Sequence, residues 1–298
     1  MVGVTRDLLF ADLAFGESPR WHDGRLYLSD VFAKRVVSVG LDGTSEVVAD
    51  LDDHPSGLGW LPDGRMLVVS MLAQKLLRLE DRKLVEHADL SALCPGACND
   101  MVVDGHGRAY VGNAGYAYRY RGQPVDVRRA TSLVLVQPDG SAEVQPGTLM
   151  FPNGAVVSPD GDTLVVAQSH GGRLTAYDIA DDGALGNERV FAAMPGSFDH
   201  PDGICMDAEG GVWTAQPEPQ ACVRVVDGGQ VTHVIDTAPW ECIACMLGGD
   251  DGRTLFLVLS PSRHDGASAE FALGGPPAQT RVGRVEFLQV DVPGAGWP

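Results

Sequence analysis

The chain has 298 residues, of which 40 are acidic and 22 basic, so its formal net charge is −18. This acidity and the lack of a Lys/Arg cluster argue against binding to phosphate backbones, and we expect no nucleic-acid partner. Hydrophobic residues make up 44% of the sequence and charged residues 21%, a composition that supports a filled core rather than disorder.

The N-terminal residues and the cysteines bear on the cellular compartment. Residues 1–16 contain no basic segment followed by an apolar one, and no apolar run approaches the roughly 18 residues that cross a bilayer. We therefore expect a soluble cytoplasmic protein without a membrane partner. The six cysteines are expected to be free thiols rather than disulfides. Composition leaves the oligomeric state open.

Six turn signals divide the chain, and each is followed by a short apolar strand. In chain order the turns are Asp23-Gly24, Asp63-Gly64, His106-Gly107, Asp160-Gly161, Glu209-Gly210 and Asp251-Gly252. The strands that follow them are Leu26–Leu28, Met66–Val69, Ala109–Val111, Leu164–Ala167, Val212–Thr214 and Leu255–Leu259. Further strands are predicted at Val36–Leu41, Leu133–Val136, Leu174–Tyr177 and Val223–Val226. A period of roughly 40 to 55 residues is typical of four-stranded blades arranged around an axis.

We therefore predict an all-β fold, a six-bladed β-propeller with a central channel, as a single domain over residues 1–298. Two packed sheets would use the same strands but would not explain six units in one register. Only Val85–Leu93 has helical periodicity, and it is predicted as a helical turn or a loop. The run Val282–Val292 is predicted as one or two strands that pair with an N-terminal strand, because a propeller must close its ring to protect its last edge.

Two long loops interrupt the pattern. The first, Gly112–Thr131, contains Tyr116 and several arginines, and it either covers the central opening or is a surface insertion. The second, Ser260–Thr280, is rich in Gly, Ala and Pro.

A polar residue recurs at a fixed distance before the turn glycines. Asn153, Asp202, Asn99 and Ser56 each lie eight residues before one, and Glu17 lies seven before Gly24. Inner strands of a propeller converge on its channel, so these positions are predicted to approach one another. Glu17, Asn153 and Asp202 offer two negative charges and one neutral oxygen, a set that suits Ca²⁺, Mg²⁺ or Mn²⁺. Three protein ligands also leave positions for a substrate carbonyl and a water.

Five motifs in consistent order resemble the gluconolactonase family, which includes senescence marker protein (regucalcin) and luciferin-regenerating enzyme. They are Gly16-Glu17-Ser18-Pro19-Arg20-Trp21, Asn99-Asp100 with Val103-Asp104 and Gly107-Arg108, Asn153-Gly154, Pro201-Asp202-Gly203 with Asp207-Ala208-Glu209-Gly210, and Cys245 with Gly248-Gly249.

This resemblance implies one divalent metal near the top of the channel of a six-bladed propeller, with Ca²⁺ as the first candidate and Mg²⁺, Mn²⁺ or Zn²⁺ as alternatives. Glu17, Asn153 and Asp202 fall on the family's metal ligands. Asn99 falls on its additional polar residue, which contacts substrate or metal-bound water. The implied reaction is hydrolysis of a lactone, or sometimes an ester, with Asp202 as the hypothetical general base.

The predicted substrate wall departs from the family. Sugar-lactone members commonly have an arginine two residues before the Asn, where this chain has Ala97, followed by Cys98. These two residues suggest a smaller or less polar substrate. Together with Asn99, the residues predicted to contact the substrate are Ala97, Cys98, His170 and Tyr116. Gln168 also stands where an aspartate is frequent in the family.

Other chemistries compete with this interpretation. Cys94 and Cys98 together with Cys242 and Cys245 have spacings compatible with a zinc site, and a cysteine near the mouth is an alternative nucleophile. His54, His170 or His200 is an alternative general base. No serine stands in a Gly-x-Ser-x-Gly elbow, so a serine-hydrolase triad is disfavoured. A propeller that binds a metal or small ligand without hydrolysis is the alternative function.

Overall fold

The structure is a computed structural model that describes residues 5–115, 129–261 and 281–296. Tyr116 and the central parts of both long loops lie outside this range. The described residues contain 24 β-strands. Among these residues, no helix is long and apolar enough to cross a membrane.

The strands follow one another with short connections. In chain order they are β1 (Asp7–Leu13), β2 (Gly16–His22), β3 (Arg25–Asp30), β4 (Arg35–Val39), β5 (Ser45–Asp50), β6 (Pro55–Trp60), β7 (Met66–Ser70), β8 (Lys75–Glu80), β9 (Lys83–Asp89), β10 (Cys98–Val103), β11 (Ala109–Asn113), β12 (Val134–Val136), β13 (Ala142–Val144), β14 (Pro152–Val157), β15 (Thr163–Gln168), β16 (Arg173–Ile179), β17 (Leu185–Ala193), β18 (Ile204–Met206), β19 (Val212–Gln216), β20 (Ala221–Val225), β21 (Val231–Asp236), β22 (Trp240–Gly248), β23 (Thr254–Pro261) and β24 (Gly283–Gln289).

These strands form six antiparallel four-stranded sheets. Five sheets are sequential, β2 to β5, β6 to β9, β10 to β13, β14 to β17 and β18 to β21, and the sixth has the order β22-β23-β24-β1. The first strand of each sheet contacts the first strand of the next, and β22 contacts β2. The sheets are therefore the blades of a six-bladed propeller, as the repeat predicted.

The ring is closed by the two ends of the chain. β24 lies within the predicted Val282–Val292 run, and it pairs with β1 from Asp7 opposite Phe287 to Leu13 opposite Gly283. This prediction is confirmed. The N-terminal strand thus hydrogen-bonds to an edge that would otherwise expose its peptide groups.

The predicted helical turn at Val85–Leu93 is wrong. Lys83–Asp89 is β9, the outer strand of the second blade, where Arg78 lies opposite Val85 and Leu77 opposite Glu86. An outer strand is largely exposed, and this one shows no strict alternation of buried and exposed residues. Its sequence therefore lacks the two-residue period that marks the inner strands.

The apolar core lies mainly between blades. One cluster, for example, joins Leu67 and Val69 of the second blade to Met101, Val103 and Val111 of the third. Such packing holds each inner strand at a fixed distance from its neighbours, and this spacing positions the polar residues described next.

Candidate functional site

The predicted register residues lie at one face of the propeller, where the inner strands begin. The second residue of an inner strand is polar in five blades, namely Glu17, Ser56, Asn99, Asn153 and Glu241. In the remaining blade, Asp202 lies two residues before β18. We call this end of the molecule the site face.

A chain of hydrogen bonds joins four of these residues across four blades. Ser56 Oγ donates to Asn99 Oδ1 at 3.4 Å, and Asn99 Nδ2 donates to Asn153 Oδ1 at 3.0 Å. Asn153 Nδ2 in turn donates to Asp202 Oδ1. Three of the predicted site residues, from separate parts of the sequence, are therefore brought together.

Ser169 contacts Asn153, the middle residue of this chain of hydrogen bonds. Asn153 Nδ2 also donates to Ser169 Oγ at 3.1 Å, and that hydroxyl donates to the carbonyl of Pro201 at 2.8 Å. The serine thereby ties Asn153 to the segment that carries Asp202. We call Asn99, Asn153, Ser169 and Asp202 the polar arc.

Glycines allow the polar arc to close. A Cβ at Gly154 would lie 2.5 Å from the nitrogen of Ile204 and 2.7 Å from the carbonyl oxygen of Asp202, and a Cβ at Gly203 would lie 2.5 Å from the Cβ of Ala244. No side chain fits at these distances, so β14 can approach Asp202 only through Asn-Gly and Asp-Gly pairs.

Glu17 occupies the same face in the first blade, opposite Ser29 in the neighbouring strand, and it is half-buried. Below it, Ser18 Oγ donates to Asp100 Oδ1 at 2.8 Å, and Arg20 forms a buried ion pair with the same carboxylate at 3.0 Å. These contacts fix β2 against β10. Ser18 has a left-handed φ of 48°, and Phe151, two residues before Asn153, has one of 58°. Such backbone is concentrated at functional sites.

The donor set fits a hard cation after a simple rearrangement. Among the residues described, no three His, Cys, Asp or Glu side chains form a cluster that could hold a metal, and the predicted set contains two carboxylates and an amide. A half-turn of the Asn153 amide would put its oxygen beside Asp202 Oδ1. A matching half-turn of Asn99 would let Asn153 Nδ2 donate to Asn99 Oδ1 and Asn99 Nδ2 donate to Ser56. Asn153 would give up its hydrogen bonds to Asp202 and Ser169, and a cation beside the freed oxygens of Asn153 and Asp202 would replace them.

The predicted substrate residues are divided between two environments. The Cys98 thiol is buried in the core between the second and third blades, 3.5 Å from the sulfur of Cys94. Its contact with Cys94 and its burial raise the pKa of Cys98. Because side chains alternate along a strand, Asn99 lies on the opposite side from Cys98, where its amide contacts Asn153. Ala97 directly precedes β10, is buried, and its carbonyl accepts from the Ala114 amide at 2.9 Å.

His170 lies at the site face beside the fourth blade's entry. Its ring is half-buried, with its centroid 5.0 Å from that of Phe151. Gln168 is fully buried and structural, since its oxygen accepts from the Met150 amide at 2.8 Å and its nitrogen donates to Thr175. Tyr116 lies outside the described residues.

Two of the three candidate histidines form pairs with the preceding aspartate. His54 Nδ1 lies 3.3 Å from Asp53, and the Asp53 carboxylate also accepts from Ser70, Leu72 and Ala73 at 2.7 to 2.8 Å. Burial alone would raise the pKa of Asp53, but these hydrogen bonds outweigh it and hold the pKa well below its usual 3.8. His200 Nδ1 lies 2.9 Å from Asp199, and both side chains are exposed.

The cysteine pairs proposed as a zinc site are not brought together. Cys94 and Cys98 belong to the core between the second and third blades, whereas Cys242 and Cys245 pack in the core beside the sixth blade. All six thiols are free and buried. Burial raises the pKa of Cys242, so this thiol lacks the thiolate character that metal binding and nucleophilic attack require.

Glu241 is a site-face residue that the register count missed. It is buried and occupies the second position of β22, as Glu17 does in β2. The eight-residue spacing fails in this blade, because Glu241 lies eleven residues before Gly252, the turn glycine whose amide donates to Gly249 as the amide of Gly64 donates to Leu61. The inner strand β22 has nine residues, whereas β6 has six, and this extra length hides Glu241 from the count.

Comparison with known proteins gives a family match over most of the chain. The profile of the SMP-30/Gluconolactonase/LRE-like region matches residues 15–260. A 6-deoxy-6-sulfogluconolactonase from Pseudomonas putida is 27% identical over 95% of this chain and 94% of its own. Regucalcin from Gallus gallus is 27% identical over 88% of each chain. A solved structure of regucalcin from Agrobacterium tumefaciens, described as a calcium-binding protein, superimposes with a TM-score of 0.79 at 22% identity and covers 99% of this chain and 97% of its own.

Proposed function

Because the chain belongs to the SMP-30/gluconolactonase/LRE-like family, we propose that it is a divalent-metal-dependent hydrolase of a lactone or related cyclic ester. The observation that carries the proposal is the polar arc, which links Asn99, Asn153 and Asp202 at one mouth of the channel. The lactonase among its relatives supports the reaction class.

In this proposal Glu17, Asn153 and Asp202 hold the cation. Ca²⁺ is the first candidate, since a structural neighbour is described as a calcium-binding protein, and Mg²⁺, Mn²⁺ and Zn²⁺ are alternatives. When bound, such an ion polarises the lactone carbonyl and lowers the pKa of water. The positive charge held there would offset the negative charges of the half-buried Asp202 and Glu17 carboxylates.

The chain's own residues supply orientation and proton transfer. Asn99 donates a hydrogen bond to the substrate carbonyl or to the attacking water, since its amide lies next to Asn153. Asp202 accepts the proton of the attacking water as general base. The water oxygen bonds to the carbonyl carbon, the ring C–O bond breaks, and the released alkoxide takes a proton to give a hydroxy acid.

The proposal is tested by measuring hydrolysis of a panel of γ- and δ-lactones by protein freed of metal. Activity should be absent without metal and return with at least one of Ca²⁺, Mg²⁺, Mn²⁺ and Zn²⁺. If no ion produces hydrolysis of any lactone, the hydrolase proposal fails.

A second function is a propeller that binds a metal or small ligand without hydrolysis. The relatives include regucalcin, and the corresponding solved structure is described as a calcium-binding protein. Calcium binding by isothermal titration, in protein that hydrolyses none of the lactones, would favour this alternative.

A further inference from the structure

The site face also carries an apolar cluster, in the three blades that do not contribute to the polar arc. Phe15, Val31, Met71 and Ile243 form a buried cluster of their own, with Phe32 packed against it. These residues come from the sixth, first and second blades, and Leu72 adjoins them on the turn after β7. We call Phe15, Val31, Phe32, Met71, Leu72 and Ile243 the apolar arc.

The apolar arc directly adjoins the predicted reaction centre at both of its ends. Phe15 lies two residues before Glu17, and its amide donates to the Asp30 carboxylate at 3.0 Å. Met71 is held at the other end, where its amide donates to the His54 carbonyl at 2.9 Å and its carbonyl accepts from Cys98 at 3.0 Å. The apolar arc thus includes Phe15, directly before β2, and Met71, which contacts the backbone of Cys98 directly before Asn99.

The apolar arc is most accessible at its outer end. Phe15 and Met71 are only 5% and 8% exposed, whereas Phe32 is half-buried. Phe32 continues the surface outward, because its ring contacts Phe15 at 5.6 Å and meets the edge of the His54 ring at 5.9 Å. Leu72 is 42% exposed at the rim of this face.

The chemistry of this surface selects against hydroxyl groups. A sugar hydroxyl placed on Phe32 or Met71 would lose its hydrogen bonds to water without gaining a partner, whereas a hydrocarbon group would gain by burial. Ala97, two residues before Asn99, is also apolar, whereas an arginine at this position would have offered donors to hydroxyl groups. We propose that the substrate is a lactone bearing a hydrocarbon substituent, which rests on the apolar arc while the polar arc holds the lactone ring. This inference rests on the proposed lactone hydrolysis and specifies its substrate class.

The test compares a homologous series of γ-lactones, with side chains from methyl to hexyl, against polyhydroxylated lactones such as glucono-δ-lactone. The metal is the ion that gives the highest activity in the panel above. We expect kcat/KM to rise about fourfold for each methylene until the surface is covered, the factor that corresponds to about 0.8 kcal/mol per buried methylene. The hydroxylated lactones should be poorer substrates than the longest members of the series.

Leu72→Ser and Leu41→Ser form a matched pair of variants. Leu72 is 42% exposed at the site face in the second blade, and Leu41 is 44% exposed in the turn after β4 of the first blade, at the opposite end of the strands. Leu72→Ser should lower kcat/KM for the hexyl lactone about fivefold to tenfold, the effect of losing part of one leucine contact. Leu41→Ser should leave every rate unchanged, and thermal melts confirm that both variants fold.

Three outcomes overturn the inference. A flat alkyl series with faster hydrolysis of glucono-δ-lactone would refute the hydrocarbon substituent and leave the proposed hydrolase intact. Equal behaviour of Leu72→Ser and Leu41→Ser would refute the placement of that substituent on the apolar arc. Failure to hydrolyse any lactone with any metal would refute the proposed function and this inference together.

Discussion

The polar arc comes from the third to fifth blades and the apolar arc from the sixth, first and second, and the two are built in different ways. Register positions at or just before inner strands supply Asn99, Asn153 and Asp202, whose side chains hydrogen-bond across blades. The apolar arc comes largely from residues outside the register, such as Phe15, before β2, and Phe32 and Met71, in the turns between second and third strands. Under the proposed function, the reaction chemistry would reside in the repeat, and the choice of substrate largely in its connections.

The largest effect is expected at the polar arc. Asp202→Ala should lower kcat/KM by about 10³-fold or more, because the proposal assigns this carboxylate both to the metal and to proton transfer. The measurement is the initial rate of hydrolysis of the best lactone in the panel.

Asp199→Ala is the matched control, three residues earlier on the same segment with an exposed carboxylate. It should keep nearly full activity. If Asp202→Ala retained more than about a tenth of the activity, a loss smaller than one general base alone contributes, the role of Asp202 would be excluded.

A smaller loss of function is expected at Glu17, the proposed metal ligand of the first blade. Glu17→Gln should weaken metal binding by at least the roughly 10- to 100-fold that is typical of losing a supporting partner of a metal ligand. Isothermal titration with Ca²⁺ measures the affinity directly, without relying on turnover. Glu143→Gln removes an exposed carboxylate on an outer strand and should bind normally. Wild-type affinity in Glu17→Gln would remove Glu17 from the ligand set.

Asp53 anchors the turn that carries Met71 and Leu72, so its substitution tests whether the apolar arc is held in place. Asp53→Asn should cost about 1 to 3 kcal/mol of unfolding free energy at pH 7, since charged hydrogen bonds are replaced by neutral ones. The native state lowers the pKa of Asp53, so its contribution is complete above the usual pKa of 3.8 and is lost as pH falls below it.

Urea unfolding at pH 7 and at pH 3 measures this difference. The gap between wild type and Asp53→Asn should narrow at the lower pH. A gap of equal size at both pH values would show that the charge of Asp53 does not stabilise the turn. Asp199→Asn, at an exposed site, should have little effect at either pH.

The smallest effect is expected at Ala97, directly before β10. Ala97→Arg should shift the ratio of kcat/KM for glucono-δ-lactone over the hexyl lactone by up to about tenfold, because one added donor is worth about 1.4 kcal/mol or less. Ala97→Met adds bulk without donors and should not favour the hydroxylated substrate. An equal shift in both variants would attribute the change to size alone.

Local patterns in the sequence were sufficient for the fold. The six glycine turns and the apolar strands after them predicted six blades, and the Val282–Val292 run predicted the closing strand. These signals depend on neighbouring residues, namely turn chemistry and two-residue alternation, so they can be read without tertiary contacts. The outer strand β9 was missed because solvent on both sides removes that alternation.

The site was only partly readable in the same way. The shared spacing to a turn glycine identified Asn99, Asn153 and Asp202, which hydrogen bonds join in the structure. It did not identify Glu241, because the inner strand of that blade is longer. In the sequence, Cys98 was predicted to contact the substrate together with Ala97 and Asn99. Its direction depends on strand alternation relative to Asn99, and the structure puts its thiol in the core.

The sequence by itself determined the number of blades, the closing of the ring and which polar residues share a register, because each follows from local turn and strand chemistry. Only the tertiary structure decided which of them touch, and that Phe15, Phe32 and Met71 gather in one cluster, with Met71 against the backbone of Cys98. Those contacts join segments that are far apart in the chain. Their distances are set by the packing of one blade on the next, which no local pattern encodes.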